Sequence, residues 1–382
     1  MSDLPNDLHW YSLDPLDVLL LREAKPFSPA DGSWAKGQFP PMPITVFQAL
    51  RSALPEQSGP ERNLSFLGPF LLQETPEGPI LWLPTPKDLL AVFVQPESLD
   101  QPPDEQPEQF AKEASPGWQS TDRLCPLDAD YPGHEFLGFN PEQFSASDLT
   151  PMVAPARNCG YYGRVFSWMR AEALARYLSG NWQNLQESDF HAGEPWSLQV
   201  LPHIQIEPGT RQVKSEDGYF TEVAVRLHQN WKLAVGFSEL LDTTVVRLGG
   251  EGHRVLVSPL ATLPGWDELT KYRTPQVPTD TAYLLTPGLA EADRPNLYAV
   301  YPSTWKPHLR GCASDRPILA GGMSKFQKST EHPRDVAFTP QRAFVSPGTV
   351  YRFKPQDDSQ DSLSATQLLP PGEENWLKTL KS

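Results

Sequence analysis

The sequence has few of the residues that mark several broad protein classes. Its three cysteines, Cys125, Cys159 and Cys312, are odd in number and far apart, so reduced thiols are expected and not disulfides. No apolar run approaches the roughly eighteen residues that cross a bilayer. The start, MSDLPNDLHW, has neither the basic lead-in nor the apolar stretch of a secretory signal. We therefore expect a cytoplasmic protein that does not bind membranes.

Motifs for catalysis and for metal binding are also lacking. The eight histidines are scattered, and the chain contains no CxxC or HxxxH pair, so no metal site is predicted. A G-x-S-x-G nucleophile elbow is absent. The turn at 321–330 (GGMSKFQKST) is not a phosphate-binding P-loop, because Gln327 stands where a glycine is required before the lysine. The sequence therefore predicts no cofactor and no ATP hydrolysis.

Proline, in contrast, is abundant, with 42 of 382 residues, about twice its usual share of ~5%. So much proline limits long helices and favours short strands joined by rigid turns. Alternation of apolar and polar residues is clearest at 222–228. We therefore predict an α+β fold with two antiparallel-sheet units and a boundary near 190–200.

Two segments have the apolar spacing of helices. The first lies in 41–54 (PMPITVFQALRSAL), where prolines precede the apolar residues. The second lies in 167–181 (SWMRAEALARYLSGN), where Ser167 is predicted to cap the start and Gly180 to end the helix. Tight turns are expected at 228–230 and 249–252.

The formal net charge of −15 argues against nucleic-acid binding when it is taken alone. The charges are unevenly distributed, however. Between 151 and 180, four arginines against one glutamate give +3, and between 305 and 354, nine basic against three acidic residues give +6. Much of the acid lies in two proline-rich stretches, 95–109 and 356–375, which are typical of disorder or surface loops. A basic groove on an acidic protein is thus possible, although solvated surface charge explains the same residues.

Several motifs along the chain resemble those of the 5′-handle-binding RAMP subunit of the Cmr effector complex, the type III-B CRISPR system. The most specific part is a strand, an arginine, Pro-Phe, a double proline and then a helix containing ALRS. The matching segments are 13–17 (LDPLD), Arg22, 25–27 (KPF), 39–41 (FPP), Thr45, 49–52 (ALRS), 68–70 (GPF), 83–89 (LPTPKDL), 202–206 (PHIQI), 210–211 (TR), 248–251 (LGGE), 319–322 (LAGG) and 347–351 (PGTVY).

This resemblance implies two ferredoxin-like (RRM-like) RAMP domains with antiparallel sheets and long loop insertions. The first would occupy 1–195, with an acidic, proline-rich insert near 95–117, and the second 196–355, with a glycine-rich loop. Residues 356–382 would form an acidic, flexible tail. The resemblance further implies a ribonucleoprotein subunit of antiviral defence without a catalytic site. It would bind the 5′ handle of the crRNA and contact the large polymerase-cyclase subunit and the backbone RAMP subunits.

Cationic and aromatic residues are the candidates for RNA contacts, because phosphates attract cations and unstacked bases stack on aromatic rings. Glycine turns additionally offer backbone N–H groups to anions. The candidates are Arg22, Lys25 and Arg51 near the first strand and helix, Arg157, Tyr161, Tyr162 and Arg164 in the middle, and Gly321, Gly322, Lys325, Lys328 and Arg342 in the C-terminal region.

Alternatives to these assignments stay open. One of the two adjacent tyrosines is expected in the core, because neighbouring strand residues face opposite ways. Arg22 and Arg51 could form ion pairs with Asp14, Asp17 or Glu23 instead of contacting RNA.

Two other functions also compete with RNA anchoring. One is a metal-independent endoribonuclease that processes the crRNA precursor, with His203 or His228 as the general acid-base. The other is an adaptor that binds only proteins, which the net charge of −15 favours.

Overall fold

The computed structural model describes residues 8–21, 37–55, 64–93, 118–127, 131, 149–156, 161–204, 206–207, 209, 212–213, 219–272, 281–291, 298–321, 324–326, 336–338 and 341–354. The acidic insert predicted near 95–117 and the tail predicted at 356–382 lie outside these ranges.

Most of the regular structure is β-strand. The α-helices in the described ranges are α1 (Pro43–Arg51), α2 (Ala171–Leu178) and α3 (Trp266–Thr270). The strands of the first half are β1 (His9–Pro15), β2 (Phe66–Thr75), β3 (Gly78–Pro84), β4 (Leu89–Phe93), β5 (Ser120–Arg123), β6 (Cys125–Pro126), β7 (Met152–Val153), β8 (Tyr161–Arg164), β9 (Trp168–Arg170) and β10 (Phe190–His191).

The strands of the second half are β11 (Trp196–Ile204), β12 (Tyr219–Leu227), β13 (Trp231–Phe237), β14 (Thr244–Arg247), β15 (Arg254–Leu260), β16 (Thr281–Tyr283), β17 (Ala290–Glu291), β18 (Tyr298–Ala299), β19 (Leu309–Ala313), β20 (Ile318–Ala320), β21 (Ser324–Phe326), β22 (Val336–Phe338), β23 (Arg342–Phe344) and β24 (Val350–Phe353). The chain is therefore a sheet-rich α+β protein, as predicted.

An eight-stranded sheet forms the centre, in the order β10-β9-β3-β2-β13-β1-β15-β14. All of its pairings are antiparallel. Strand β13 lies between β1 and β2, so residues from the second half of the chain complete a sheet begun by the first half. The large sheet thus continues across 195/196, where the sequence suggested a boundary between two units.

Both faces of this sheet are buried, because side chains alternate between two apolar clusters along its strands. Leu71 and Leu233 belong to the cluster that α1 covers. Their neighbours Leu72 and Ala234 belong to the cluster that α2 and α3 cover. Helices α1 and α2 therefore pack on opposite faces of the sheet.

The two predicted helices are present, but the second begins later than expected. Residues 168–170 form β9, which pairs with β3 and β10. The helix therefore starts at Ala171, with Arg170 at its N-cap position and no side-chain cap. Ser167 lies before β9, and its carbonyl accepts a hydrogen bond from Thr85 N–H at 2.9 Å. The predicted end is confirmed, because Gly180 follows the helix with a φ of 87°.

Smaller sheets surround the central one, including the three-stranded sheets β5-β4-β8 and β16-β24-β19 and the hairpin β11-β12. Strand β11 exposes an alternating row of apolar side chains, Leu198, Val200 and Ile204, at 63%, 47% and 57% of their surface. No helix in the described part of the chain is long and apolar enough to cross a membrane.

Candidate nucleic-acid interface

Strand β8 carries three of the candidate RNA-binding residues. It pairs with β4, so that Tyr161 lies opposite Phe93, Tyr162 opposite Val92 and Arg164 opposite Leu90. Tyr161 and Tyr162 face opposite sides of the sheet, as the sequence predicted. A ligand bound on one face of this sheet can therefore contact only one of the two aromatic rings.

The two tyrosines have different surroundings. Tyr162 is half-buried, and its hydroxyl donates a hydrogen bond to Asp122 Oδ2 at 2.9 Å. Tyr161 is 46% exposed, and its ring stacks on Phe93 with centroids 5.1 Å apart and planes 10° apart. Tyr161 thus presents an exposed aromatic surface supported from one side by a second ring, whereas Tyr162 has a structural contact.

Gly163 makes this stack possible. A β-carbon at this position would lie 2.5 Å from Cε2 of Phe93, closer than real β-carbons approach other atoms. The missing side chain therefore lets the Phe93 ring lie across β8 and support Tyr161. The stack joins directly opposite residues of two paired strands, and Gly163 lies diagonal to Phe93, within reach of its ring.

Two cationic side chains and one backbone N–H act on the exposed carboxylate of Asp315. Lys87 Nζ lies 3.3 Å from Asp315 Oδ2, and the backbone N–H of Arg316 donates a hydrogen bond to Oδ1 at 2.8 Å. The Arg316 hydrogen bond, and then the positive charges of Lys87 and Arg164, lower the pKa of Asp315. We call Lys87, Arg164, Asp315 and Arg316 the Asp315 cluster.

The loop that carries Lys87 packs against the loop before β24, and Ser314, next to Asp315, contacts this second loop through Thr349, with the two hydroxyl oxygens 2.8 Å apart. Lys87 N–H donates to the carbonyl of Gly348 at 2.8 Å. Gly348 has a φ of 86°, and a β-carbon there would lie 2.6 Å from the Thr85 carbonyl oxygen. The loops belong to the segments 83–89 and 347–351, which carry the family-like motifs LPTPKDL and PGTVY. Both motifs were recognised in the sequence, but Lys87 and Arg316 were not identified there as site residues.

Beside Lys87, the side chain of Asp88 is fully buried and fixes the base of the same loop. Arg123 Nε donates to Asp88 Oδ2 at 2.8 Å, and Tyr177 Oη donates to Oδ1 at 2.7 Å. Burial, and then the charge of Asp88, raise the pKa of Tyr177 well above its usual range. This network links the loop before β4 to β5 and to α2.

Comparison with known families identifies the group to which the chain belongs. The family model described as CRISPR-associated protein (Cas_Cmr3) matches residues 11–375. The chain belongs to the Cas_Cmr3 family. The resemblance to a Cmr subunit, drawn from motifs in the sequence, is thereby confirmed.

Solved structures and curated proteins were compared as well. A chain in the cryo-EM structure of Type III-B Cmr-beta bound to cognate target RNA and AMPPnP, state 1, aligns with 10% identity and a TM-score of 0.45, over 90% of this chain and 86% of that one. A chain in the cryo-EM structure of Type III-B Cmr-beta bound to cognate target RNA aligns over the same shares, with 11% identity and a TM-score of 0.40. No curated protein matches. The family assignment depends on the sequence match alone.

The remaining candidates of this Cas_Cmr3 chain are distributed over other elements. Gly321, with a φ of 104°, follows β20, and Arg342 begins β23 and pairs with Ala320, so these two residues lie at one end of the same ladder. Lys325 lies on β21, where its backbone pairs with Ala337. Arg22, Lys25, Arg157, Gly322 and Lys328 lie outside the described residues.

Arg51 is exposed in the last turn of α1, which packs on β2 and β14 and not on the sheet that contains β8. Two of the acidic residues suggested as its ion-pair partners contact other cationic side chains, and the third, Glu23, lies outside the described residues. Asp14 lies 3.4 Å from Lys232 Nζ, and Asp17 lies 2.6 Å from Arg226 Nη2.

A buried carboxylate joins two histidines on another part of the surface. Glu222 is 1% exposed; its Oε2 lies 2.9 Å from His203 Nε2, and its Oε1 lies 3.0 Å from His253 Nε2. His203 comes from the PHIQI segment, and His253 follows the LGGE segment. Sequence reasoning considered His203 but missed Glu222 and His253, because it did not indicate that Glu222 of β12 is buried between His203 of β11 and His253 in the turn before β15. In the described ranges, no group of three His, Cys, Asp or Glu residues is arranged to hold a metal ion.

Proposed function

We propose that this chain is a non-catalytic, crRNA-binding subunit of a type III-B CRISPR effector complex in the cytoplasm. It would hold the repeat-derived 5′ handle and join the large polymerase-cyclase subunit to the backbone RAMP subunits in antiviral defence. Membership of the Cas_Cmr3 family supports this proposal. The structural observation that carries it is the exposed Tyr161 ring, stacked on Phe93 and accompanied by exposed Arg164 on the same strand.

The chemistry of single-stranded RNA fits this arrangement. An unpaired base stacks on an exposed aromatic ring with a gain of about 1–3 kcal/mol. The Phe93 ring holds Tyr161 in place, so less conformational freedom is lost on binding. Arg164 projects from the opposite face of β8, which is an edge strand of its sheet among the described strands. A chain of RNA passing this edge could place a base on Tyr161 and a phosphate on Arg164.

We also infer that the sheets derive from two ferredoxin-like units. In an α+β unit of this kind the helices lie on one face of an antiparallel sheet. Helices α1 and α2 pack on opposite faces of the eight-stranded sheet, which is what two units joined through their sheets would produce.

Contacts with protein subunits are supported by the apolar row on β11. Leu198, Val200 and Ile204 are all exposed on one strand, and such contiguous apolar surface marks interaction sites. Pro202 lacks the N–H that an added strand would need. We therefore expect the partner subunit to cover this row with apolar side chains and not to extend the sheet.

The apolar row can be tested by co-purification with the partner subunits. Replacing Leu198 and Ile204 with serine should reduce the amount of complex recovered, because two apolar anchors are lost. Val245→Ser is the matched control, since Val245 is exposed to the same 47% as Val200 but lies on β14. Equal recovery of the row variant and the wild type would contradict the assignment of this surface.

We call Tyr161 and Arg164 of β8 the β8 surface. Its binding to RNA can be tested with labelled handle RNA and the full chain. Tyr161→Phe should bind like the wild type, because the stacking ring is kept, whereas Tyr161→Ser should weaken binding by about tenfold or more. Equal affinities of the phenylalanine and serine variants would show that stacking on Tyr161 plays no part. A wild-type chain that binds no handle RNA, alone or in the assembled complex, would overturn the proposed function.

A second candidate function is metal-independent RNA cleavage, which the contact of His203 and His253 with Glu222 favours. One imidazole would take the proton of a ribose 2′-hydroxyl, whose oxygen attacks the adjacent phosphorus. The P–O5′ bond would break to give a 2′,3′-cyclic phosphate, and the other, protonated imidazole would donate its proton to the leaving 5′-oxygen. Glu222 would orient both rings.

Incubating repeat RNA with the purified chain in EDTA separates the two functions. The anchoring proposal expects intact RNA. Cleavage that is lost in His203→Gln and retained in His228→Gln would establish the nuclease instead.

A further inference from the structure

The Asp315 cluster places one carboxylate beside the cationic side chains of Lys87 and Arg164 and the backbone N–H of Arg316. Asp315 is 58% exposed along its side chain, and Lys87 is 28% exposed. Arg164 is also exposed. The two cationic side chains exceed the single negative charge of Asp315 by one, on a chain whose net charge is −15.

We propose that the Asp315 cluster is a binding site for a backbone phosphate of single-stranded RNA, and that the Asp315 carboxylate occupies this site in the free protein. This inference rests on the proposed RNA-binding function and adds residues that neither the family assignment nor the sequence reasoning identified. The site includes Arg164, which links it to the β8 surface.

The contacts of Asp315 are those that a phosphate makes. Its two oxygens accept a hydrogen bond from a backbone N–H and lie near a lysine ammonium. The non-bridging oxygens of a phosphodiester accept from the same donors and carry the same single negative charge. An exposed aspartate side chain can rotate away while the Arg316 N–H stays where it is, so an entering phosphate can replace it.

Competition between Asp315 and RNA has a measurable consequence. In the wild type, a phosphate must displace the Asp315 carboxylate. Because this carboxylate already neutralises Lys87, few anions from solution are associated with Lys87 and few are released when RNA binds. In Asp315→Asn, Lys87 attracts anions from solution and releases them when the phosphate binds, in addition to the cations that the RNA itself releases. The variant should therefore bind RNA several-fold more tightly at low salt. The slope of log affinity against log salt should be steeper than that of the wild type.

The test uses the full-length chain and a fluorescent single-stranded RNA of the 5′-handle sequence, with affinity measured by anisotropy at several salt concentrations. Asp315→Asn should tighten binding and Lys87→Gln should weaken it. Glu268→Gln is the matched control, because Glu268 is 59% exposed and contacts a lysine, Lys271, at 2.6 Å. Circular dichroism verifies that each variant is folded.

The outcomes separate this inference from the proposed function. If the wild type binds and Asp315→Asn binds equally or more weakly, the Asp315 site is refuted while RNA anchoring stands. If the wild type does not bind RNA, anchoring fails, and pyrophosphate becomes the probe in a thermal-shift measurement. A larger stabilisation of Asp315→Asn than of the wild type by pyrophosphate then supports the site, and equal shifts refute it.

Discussion

At the scale of single residues, Asp88 carries a buried charge whose removal should be costly. It is fully buried and receives hydrogen bonds from Arg123 and Tyr177. Removing one partner of a buried ion pair leaves the other charge without compensation, at a cost of about 3–5 kcal/mol. Asp88→Asn should therefore lower the free energy of unfolding by this amount, measured from urea titrations.

The control for this prediction is an exposed ion pair. Glu268→Gln removes a carboxylate that contacts Lys271 in water, and such pairs contribute about 0–1 kcal/mol. Similar losses in the two variants would contradict the role assigned to Asp88.

His191 makes the stability of the folded protein depend on pH. Its ring packs against Trp82 and Trp231, with centroids 5.4 and 4.8 Å away. Burial, and then the charge of His228, lower its pKa below the usual value. At pH values between the lowered pKa of the folded state and the usual histidine pKa of about 6.5, the unfolded chain binds more protons than the folded one. The stability from this group is thus present above about pH 6.5 and is lost as the pH falls towards the folded pKa.

His191→Phe should keep the ring packing and remove this titration. We expect its melting temperature to change less between about pH 5 and 7 than that of the wild type. Parallel curves of melting temperature against pH would exclude His191 as the source of the dependence.

At the scale of elements, β8 depends on the absence of a side chain at Gly163. Gly163→Ala would place a β-carbon against the Phe93 ring. We expect a loss of about 1–3 kcal/mol in stability, as for other overpacked sites, and weaker RNA binding because Tyr161 loses its supporting ring.

A second substitution distinguishes these two effects. Adding Phe93→Leu to Gly163→Ala removes the clashing ring atom, so stability should recover while RNA affinity stays low. Recovery of both properties would mean that the Phe93–Tyr161 stack is not needed for binding.

Elements were predictable from the sequence where local patterns determine them. Prolines and apolar spacing located α1, and Gly180 located the end of α2. The predicted start of α2 was wrong, because residues 168–170 pair with β3 as a strand in spite of their helix propensity. The opposite faces of Tyr161 and Tyr162 followed from strand geometry.

The rest could not be predicted, because it depends on contacts between distant segments. Lys87 reaches Asp315 only after loops 84–88 and 346–349 pack together, and they are separated by more than half of the chain. Similarly, β13 inserts between β1 and β2, which no local pattern indicates. The sequence could therefore identify residues of a type that suits RNA binding. The contacts within the Asp315 cluster could be identified only from the folded structure.

At the scale of the whole molecule, the question is how a chain with net charge −15 holds an anion. Positive charge is concentrated locally, since Lys87 and Arg164 act on one carboxylate and Arg316 contributes its backbone N–H. Binding should weaken with salt at a slope of roughly −0.7 per phosphate contacted. Affinity for handle RNA that stays constant between low and high salt would argue against phosphate contacts altogether.

The most direct test of the central claim is photocrosslinking within the assembled complex, with 5-iodouridine placed at successive positions of the crRNA handle and crosslinked peptides identified by mass spectrometry. We expect at least one handle position to crosslink to the peptide containing Tyr161. Crosslinks from every handle position that fall only on other subunits, or on surfaces of this chain remote from β8, would contradict it.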